Sequence, residues 1–232
     1  MLATWLAVAA EAPASTSGIT EPFRDVTLSS SVSGIINARK FQEGAHVKEG
    51  EIILELDKRL EELEVARRKL VMEQHKTDFE STRVLFSNSK SVSKDELEKK
   101  EAEYNIATVE HDIAAEQLRR RLVTTPIAGE ITDLFLHAGE ACQPYQPLAR
   151  VVDTRHCYFV SNIEARLAAK FKVDQAVDLE IQSGDAAVSV TGKIIFISPV
   201  VDPASGLVKV RAAFENPDGK VRPGVACKMN LP

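Results

Sequence analysis

Between Gly50 and Pro126 the chain contains neither glycine nor proline. These are the strongest local punctuators of helices and strands, so their absence excludes a succession of tight turns in that stretch. Aromatic residues are also scarce, with one Trp and three Tyr in 232 residues. That argues against a large aromatic ligand pocket or a base-stacking platform. Basic charge is not in excess. The net charge is −5, whereas a duplex-binding protein carries a basic stripe, so nucleic acid is not expected as a partner. Cysteine is limited to Cys142, Cys157 and Cys227, with no CxxC pair and no histidine at zinc-like spacing. The three read as small buried hydrophobes. A disulfide between two of them is the alternative in an oxidising compartment. The five histidines are scattered, and there is no HExxH, no GxSxG and no glycine-rich phosphate loop. No catalytic residue, metal or cofactor is therefore expected, and the chain does not read as an enzyme.

No apolar run approaches the ~20 residues that a membrane-spanning helix needs. The run Leu2–Ala10 ends in Val8-Ala9-Ala10, a small-residue pattern suited to signal peptidase, and an Ala/Pro/Ser/Thr stretch follows it. No Lys or Arg precedes the run, so the leader is expected to be incomplete or its start misplaced; a disordered tail is the alternative. No lipobox cysteine follows, and lipid anchoring is not expected.

The residues present within the glycine-free stretch are helix formers: Glu, Lys, Arg, Leu, Ala and Gln. One interruption, Ser87 to Ser93, concentrates serine and asparagine, which compete with the helical backbone for hydrogen bonds and favour a turn. Ser93 with Glu96 fits a capping box, and Asp57 is a plausible N-cap. The pattern predicts helices over 58–87 and 93–122, each about 45 Å long. Equal arms about a short polar turn near Lys90 predict an antiparallel hairpin. Its seam is expected at Leu60, Leu63 and Leu70 on the first helix. On the second it is expected at Leu97, Tyr104, His111, Leu118 and Leu122. The run Arg119-Arg120-Arg121 is expected opposite Glu61, Glu62 and Glu64, as a solvated ion-paired face.

A repeat flanks the helices. Val32–Asp57 reads VSGIINARKFQEGAHVKEGEIILELD, and Ile127–Asp153 reads IAGEITDLFLHAGEACQPYQPLARVVD. Gly34 matches Gly129 and Gly44 matches Gly139, and each copy closes on a short apolar strand ending in Asp. Alternating Ile, Val and Leu with placed glycines predicts strands and tight turns. From Cys157 onward short strands are expected at 158–163, 176–182, 188–198, 207–214 and 226–231, with a short helix at 165–171, as a small β-barrel.

Each copy resembles one half-motif of a biotinyl/lipoyl domain. Split by a proline-free pair of helices, and followed by the turns DPASGL (202–207) and NPDGKVRPG (216–224), the repeat resembles the membrane fusion proteins, or HlyD-like periplasmic adaptors. The resemblance covers roughly residues 19–232. It implies a mainly β, elongated chain with a long α-helical hairpin. Residues 1–18 would be a leader or disordered N-terminus and 19–31 a linker or strand. Residues 32–57 with 124–153 would form a flattened lipoyl-like β-sandwich, 58–123 the hairpin and 154–232 the β-barrel. Many relatives continue into a membrane-proximal domain, which this chain is expected to lack or to have lost by truncation.

The resemblance further implies a periplasmic adaptor of a tripartite efflux system. Its partners would be an inner-membrane RND or ABC pump, an outer-membrane channel, and further copies of itself in a ring, six being the family's expectation. The alternatives are an ABC-type secretion adaptor or a carrier modified at Lys58, which follows Glu55-Leu56-Asp57. The carrier reading is disfavoured because the second half-motif begins only near Thr124. Soft-metal methionine sites found in some relatives are not expected, since only Met1, Met72 and Met229 occur. Relatives associate an Arg, a Leu and a Ser at the hairpin tip with channel docking. Ser93 fits the serine, Phe86 replaces the Leu, and Thr82 stands at the Arg position with Arg83 one residue out of register.

Overall fold

The computed structural model describes residues 15–88, 91–183 and 186–230. The expected leader up to Ala14, the turn residues Ser89 and Lys90, and the end of the last strand at Leu231 lie outside these residues.

In chain order the elements are β1 (Ser15–Ser29), β2 (Gly34–Arg39), β3 (His46–Val47), β4 (Ile52–Leu56), α1 (Arg59–Asn88), α2 (Lys94–Arg119), β5 (Leu122–Thr124), β6 (Gly129–Leu134), β7 (Ala141–Cys142), β8 (Pro147–Glu164), α3 (Ala165–Ala168), β9 (Ala176–Ser183), β10 (Ala186–Ile197), β11 (Leu207–Glu215) and β12 (Ala226–Asn230). The chain divides into two compact units. One holds residues up to Val26, Ile127–Glu130 and Val152 onward; the other holds Thr27–Pro126 and Ile131–Val151. The two long strands β1 and β8 each contribute residues to both units.

The first unit is a β-barrel. Its strands run β1-β12-β9-β10-β11-β8, and a further pairing of β1 with β8 closes the ring. Closure removes the open edges that an isolated sheet would present. Inward residues alternate along each strand, as the period of two requires. Val177, Leu179 and Ile181 of β9, Val208, Val210, Ala212 and Phe214 of β11, and Cys227 and Met229 of β12 are all buried. Phe159 and Ile194 complete the middle of this core. All three cysteines are buried free thiols. Burial pushes the Cys157 thiol up to about 11 and the Cys227 thiol up to about 12.

The second unit contains the two half-motifs and the long helices. One of its sheets has the order β5-β4-β2-β7, so a strand of the second repeat, β7, completes a sheet begun by the first. Ile36, Ile53, Leu54, Leu56, Ile131, Leu148 and Val151 are 0–1% exposed and form its core. The halves are interlocked, and three cross-half backbone hydrogen bonds recur with the halves exchanged. Gly44 N–H donates to Ile131 O and Gly139 N–H to Ile36 O, both at 2.8 Å. Ile131 N–H donates to Ala45 O at 3.0 Å, and Ile36 N–H to Glu140 O at 2.9 Å. Gly50 N–H reaches Thr125 O at 2.8 Å, and Tyr145 N–H reaches Ser30 O at 2.7 Å. The turn geometry repeats as well. Gly44 and Gly139 sit at φ +83° and +90°, and Gly50 and Tyr145 at +83° and +63°.

Helix α1 has 30 residues and α2 has 26. Contacts pair the start of one with the end of the other: Arg121 with Glu61, Arg68 with Glu110, and the Phe79 ring with Tyr104. The helices therefore run antiparallel. α1 lies within one residue of its expected ends, whereas α2 stops at Arg119, three residues short of the expected end at 122. Leu122 does not extend α2; it begins β5 and pairs with Glu55 of β4. Tertiary pairing captures the residue because β4 offers it a ladder, and the weak helix end cannot compete.

Candidate functional site

The candidate docking residues lie at the end of the helix pair remote from the β strands. Arg83 and Phe86 stand three residues apart in the last turns of α1, on neighbouring positions of one face. Arg83 is exposed, and its guanidinium lies over the Phe79 ring, 5.8 Å from the centroid. Phe86 is half-buried, while Val84 and Leu85 beside it are about half exposed (53% and 49%). Thr82, at the expected arginine position, donates its hydroxyl to Asp78 O at 2.8 Å and so is turned back on its own helix.

Ser93 is the N-cap of α2. Its backbone is extended (φ −74°, ψ 158°), and its hydroxyl accepts from Glu96 N–H at 3.1 Å. The cap satisfies one of the donors left free at a helix start. Lys94 and Glu98 pair at 2.8 Å one turn on. The site thus joins a capped helix start to a helix end bearing an aromatic and a cation.

The helix pair itself is held by charge as much as by apolar contact. On α2 four of the five expected stripe positions are in place: Leu97, Tyr104, His111 and Leu118 are half-buried, with Ala107 and Ala114 buried between them, while Leu122 lies in β5. On α1 the expected stripe is wrong. Leu60, Leu63 and Leu70 are 53–78% exposed, and the half-buried positions are Glu61, Glu64, Val65, Arg68, Val71, Met72, His75, Asp78, Phe79, Thr82 and Phe86. The leucines looked like a seam because they are spaced like one. The true seam is one residue round the helix and is largely polar, which apolar counting does not find.

Arg68 with Glu110 and Arg121 with Glu61 cross that seam, and further ion pairs run along each helix. Glu64 accepts from Arg67 and Arg68, and this holds its carboxyl well down, to about 2. Lys100 lowers the Glu103 carboxyl, and Arg119 lowers that of Glu116. Of the expected pairing between the arginine run and helix one, only Arg121 with Glu61 crosses, at 2.6 Å. Arg119 and Arg120 pair instead with Glu116 on their own helix, and Glu62 pairs with Lys58. Local i, i+3 and i, i+4 partners are reached without ordering a second element, so they win.

Asp57, the predicted cap, accepts from Arg59 N–H at 3.2 Å but stands one residue ahead of the observed cap position, Lys58, because α1 begins at Arg59. Lys58 lies between β4 and α1, with its ammonium 3.4 Å from Glu55 and 3.6 Å from Glu62. Lys40 hydrogen-bonds the same Glu55, and this is the main cause of its lowered pKa. A carrier lysine needs an exposed tight β-turn; Lys58 is followed at once by a helix and is tied at its tip. Among the described residues no group of three His, Cys, Asp or Glu is placed to hold a metal. No described helix is long and apolar enough to cross a membrane.

Comparison with known proteins agrees with this anatomy. Residues 24–154 match the model of the RND MFP barrel-sandwich hybrid domain, and residues 160–232 match the CusB-like β-barrel domain. The chain is 28% identical over 226 residues to the solvent efflux pump periplasmic linker SrpA of Pseudomonas putida, covering 90% of this chain and 58% of that protein. The toluene efflux pump periplasmic linker protein TtgG of Pseudomonas putida is likewise 28% identical over 226 residues, at 90% and 56% coverage. The chain therefore spans less than two thirds of the length of these curated relatives. A MacA–MexA chimera carrying the Pseudomonas aeruginosa MexA α-hairpin shares the fold, with a TM-score of 0.81 and 20% identity over 97% of this chain and 83% of that one. A barrel-sandwich hybrid built from two interlocked half-motifs, matched over more than half its length, places this chain in the family of RND membrane fusion proteins.

Proposed function

We propose that the chain is the periplasmic adaptor of a tripartite efflux system, joining an inner-membrane pump to an outer-membrane channel. The carrying observation is the exchange symmetry of the two half-motifs, Gly44 to Ile131 against Gly139 to Ile36. It makes the two ends of the helical insertion meet in one body, so the helices are a rigid extension and not a linker. The divisions proposed are a lipoyl-like domain from 32–57 and 124–153, a helical hairpin over 58–123 and a β-barrel over 154–232. The leader would end before Ser15, because Ser15–Gly18, expected within it, belong to β1 and pair with β12 of the barrel.

The mechanism is architectural. Copies stand side by side in a ring, the lipoyl-like domains forming a collar and the hairpins a funnel toward the channel. The RND class of pump is favoured by the family model, and the names of the relatives favour efflux as the task. A ring requires a heterologous interface that closes. The tip carrying Arg83, Phe86 and Ser93 is the proposed channel contact.

Phe86→Asp is the test. The residue is half-buried at a helix end, so the variant is expected to keep its helical content and sedimentation while export of the pump's solutes is lost. A folded Phe86→Asp protein that restores full solute resistance to an adaptor-deleted strain would remove the tip from the mechanism. Removal of 88–92 is expected to act in the same direction.

A further inference from the structure

Each long helix carries a second apolar stripe that its partner helix does not cover. On α2 it is Ile106, Val109 and Ile113; on α1 it is Leu60, Leu63 and Leu70, all between 53 and 78% exposed. At roughly 100° per residue, the α2 stripe lies opposite the seam and the α1 stripe lies well off it. Apolar side chains exposed singly are ordinary, whereas rows at helical spacing mark an interaction surface.

The two stripes differ in a complementary way. The α2 stripe borders a shallow depression of about 520 Å³ lined by Val109, Asp112, Ile113, Glu116, Gln117 and Arg120. Its floor is apolar, and the Asp112 and Glu116 carboxylates stand on its rim with Arg120, which pairs with Glu116. The α1 stripe is a ridge in which a single cation, Arg67, stands between Leu63 and Leu70. Ridge and depression also share a height along the pair. Arg121 contacts Glu61 and Arg68 contacts Glu110, so Leu63, Arg67 and Leu70 stand level with Gln117, Ile113 and Val109. Equal height is the condition for a ring. Copies related by rotation about an axis along the helices meet without axial slip, whereas a height mismatch would propagate into an open helix of subunits.

We propose that the α1 ridge Leu63-Arg67-Leu70 of one copy seats in the α2 depression at Val109, Ile113 and Glu116 of the next. The occupant is a second copy of this chain. Leu70 packs on Val109, and Arg67 reaches the Asp112 and Glu116 carboxylates. This rests on the ring reading above and assigns its helix-to-helix interface. The i, i+3 and i, i+4 pairs that Arg67 and Glu116 make on their own helices keep both charges solvated and in place in the free chain.

Disulfide trapping tests it in the full chain, because Cys142, Cys157 and Cys227 are buried and do not compete. Leu70→Cys combined with Val109→Cys is expected to give, on mild oxidation, a ladder of covalent oligomers ending at one closed size. Leu63→Cys with Val109→Cys places the thiols about 12 Å apart in height, outside disulfide reach, and is expected to give none. Each single variant is expected to stay uncoupled. If the unmodified chain sediments as multimers and the Leu70–Val109 pair yields no ladder, this interface is overturned while the ring stands. If the chain is monomeric at every concentration, both fall. Cross-linking in a single-cysteine variant would mean a two-fold contact and would also overturn the assignment.

Discussion

Gly18 is the residue on which closure of the barrel depends most directly. A Cβ there would lie 2.4 Å from Val160 O and 2.5 Å from the Phe159 ring, so β1 can approach β8 only without a side chain at that point. Gly18→Ala is expected to cost about 1–3 kcal/mol through overpacking against a backbone atom that cannot move aside, measured by chemical denaturation. The same substitution at Gly44, where nothing lies within 4 Å, meets no clash and is opposed only by its positive φ. The thiols offer a second check at this scale. Cys157 and Cys227 are held protonated and covered, so thiol reagents are expected to label them only after unfolding. Rapid labelling of either in the native protein would contradict the barrel core described above. Their burial was legible in the sequence from spacing alone, since no pairing pattern claimed them. The close approach at Gly18 was not, because it depends on which strand β1 meets.

At the scale of elements, each long helix carries carboxylates paired with cations one turn away. Glu64, Glu103 and Glu116 all have pKa values below the ordinary value of about 4.5, Glu64 reaching about 2. A folded-state pKa below the unfolded one means that the stabilisation is complete above the unfolded value. It is lost as pH falls toward the folded value. Helical content is therefore expected to hold at neutral pH and to decline between about pH 4.5 and 2, followed by far-UV circular dichroism. Added salt is expected to soften the dependence, as these pairs are exposed and individually weak. A helix signal that rises on acidification would refute the role given to the pairs. The lengths of α1 and α2 were readable from the missing glycine and proline, and the cap at Ser93 from its neighbours. The face that α1 turns to its partner was not. Leu60, Leu63 and Leu70 keep the spacing of a seam and lie outside it, because α1 turns the face bearing Val65, Arg68, Met72 and Phe79 to its partner.

For the whole molecule, β1 is the strand that turns an open sheet into a barrel. Thr20 alone exchanges hydrogen bonds with Val225 and Gly224, and Ser161 donates its hydroxyl to Ser17 O at 2.7 Å. A chain starting at Thr27 would leave β12 and β8 with unpaired edges. Such edges template aggregation, so this variant is expected to lose the cooperative unfolding of the barrel and to self-associate on size-exclusion chromatography. A monomeric variant with an unchanged unfolding transition would show that closure is dispensable.

What this sequence determined by itself is local. The absence of glycine and proline set the helical stretch, the spaced glycines set the turns, and the repeat set two equivalent halves, since each depends on backbone preferences within a few residues. What only the tertiary structure decided is mutual: that each half donates to the other through Gly44 and Gly139, that Leu122 leaves its helix for β4, and that the α1 leucines face away from α2. These outcomes turn on competition between partners distant in the chain. No window of residues records which of them prevails.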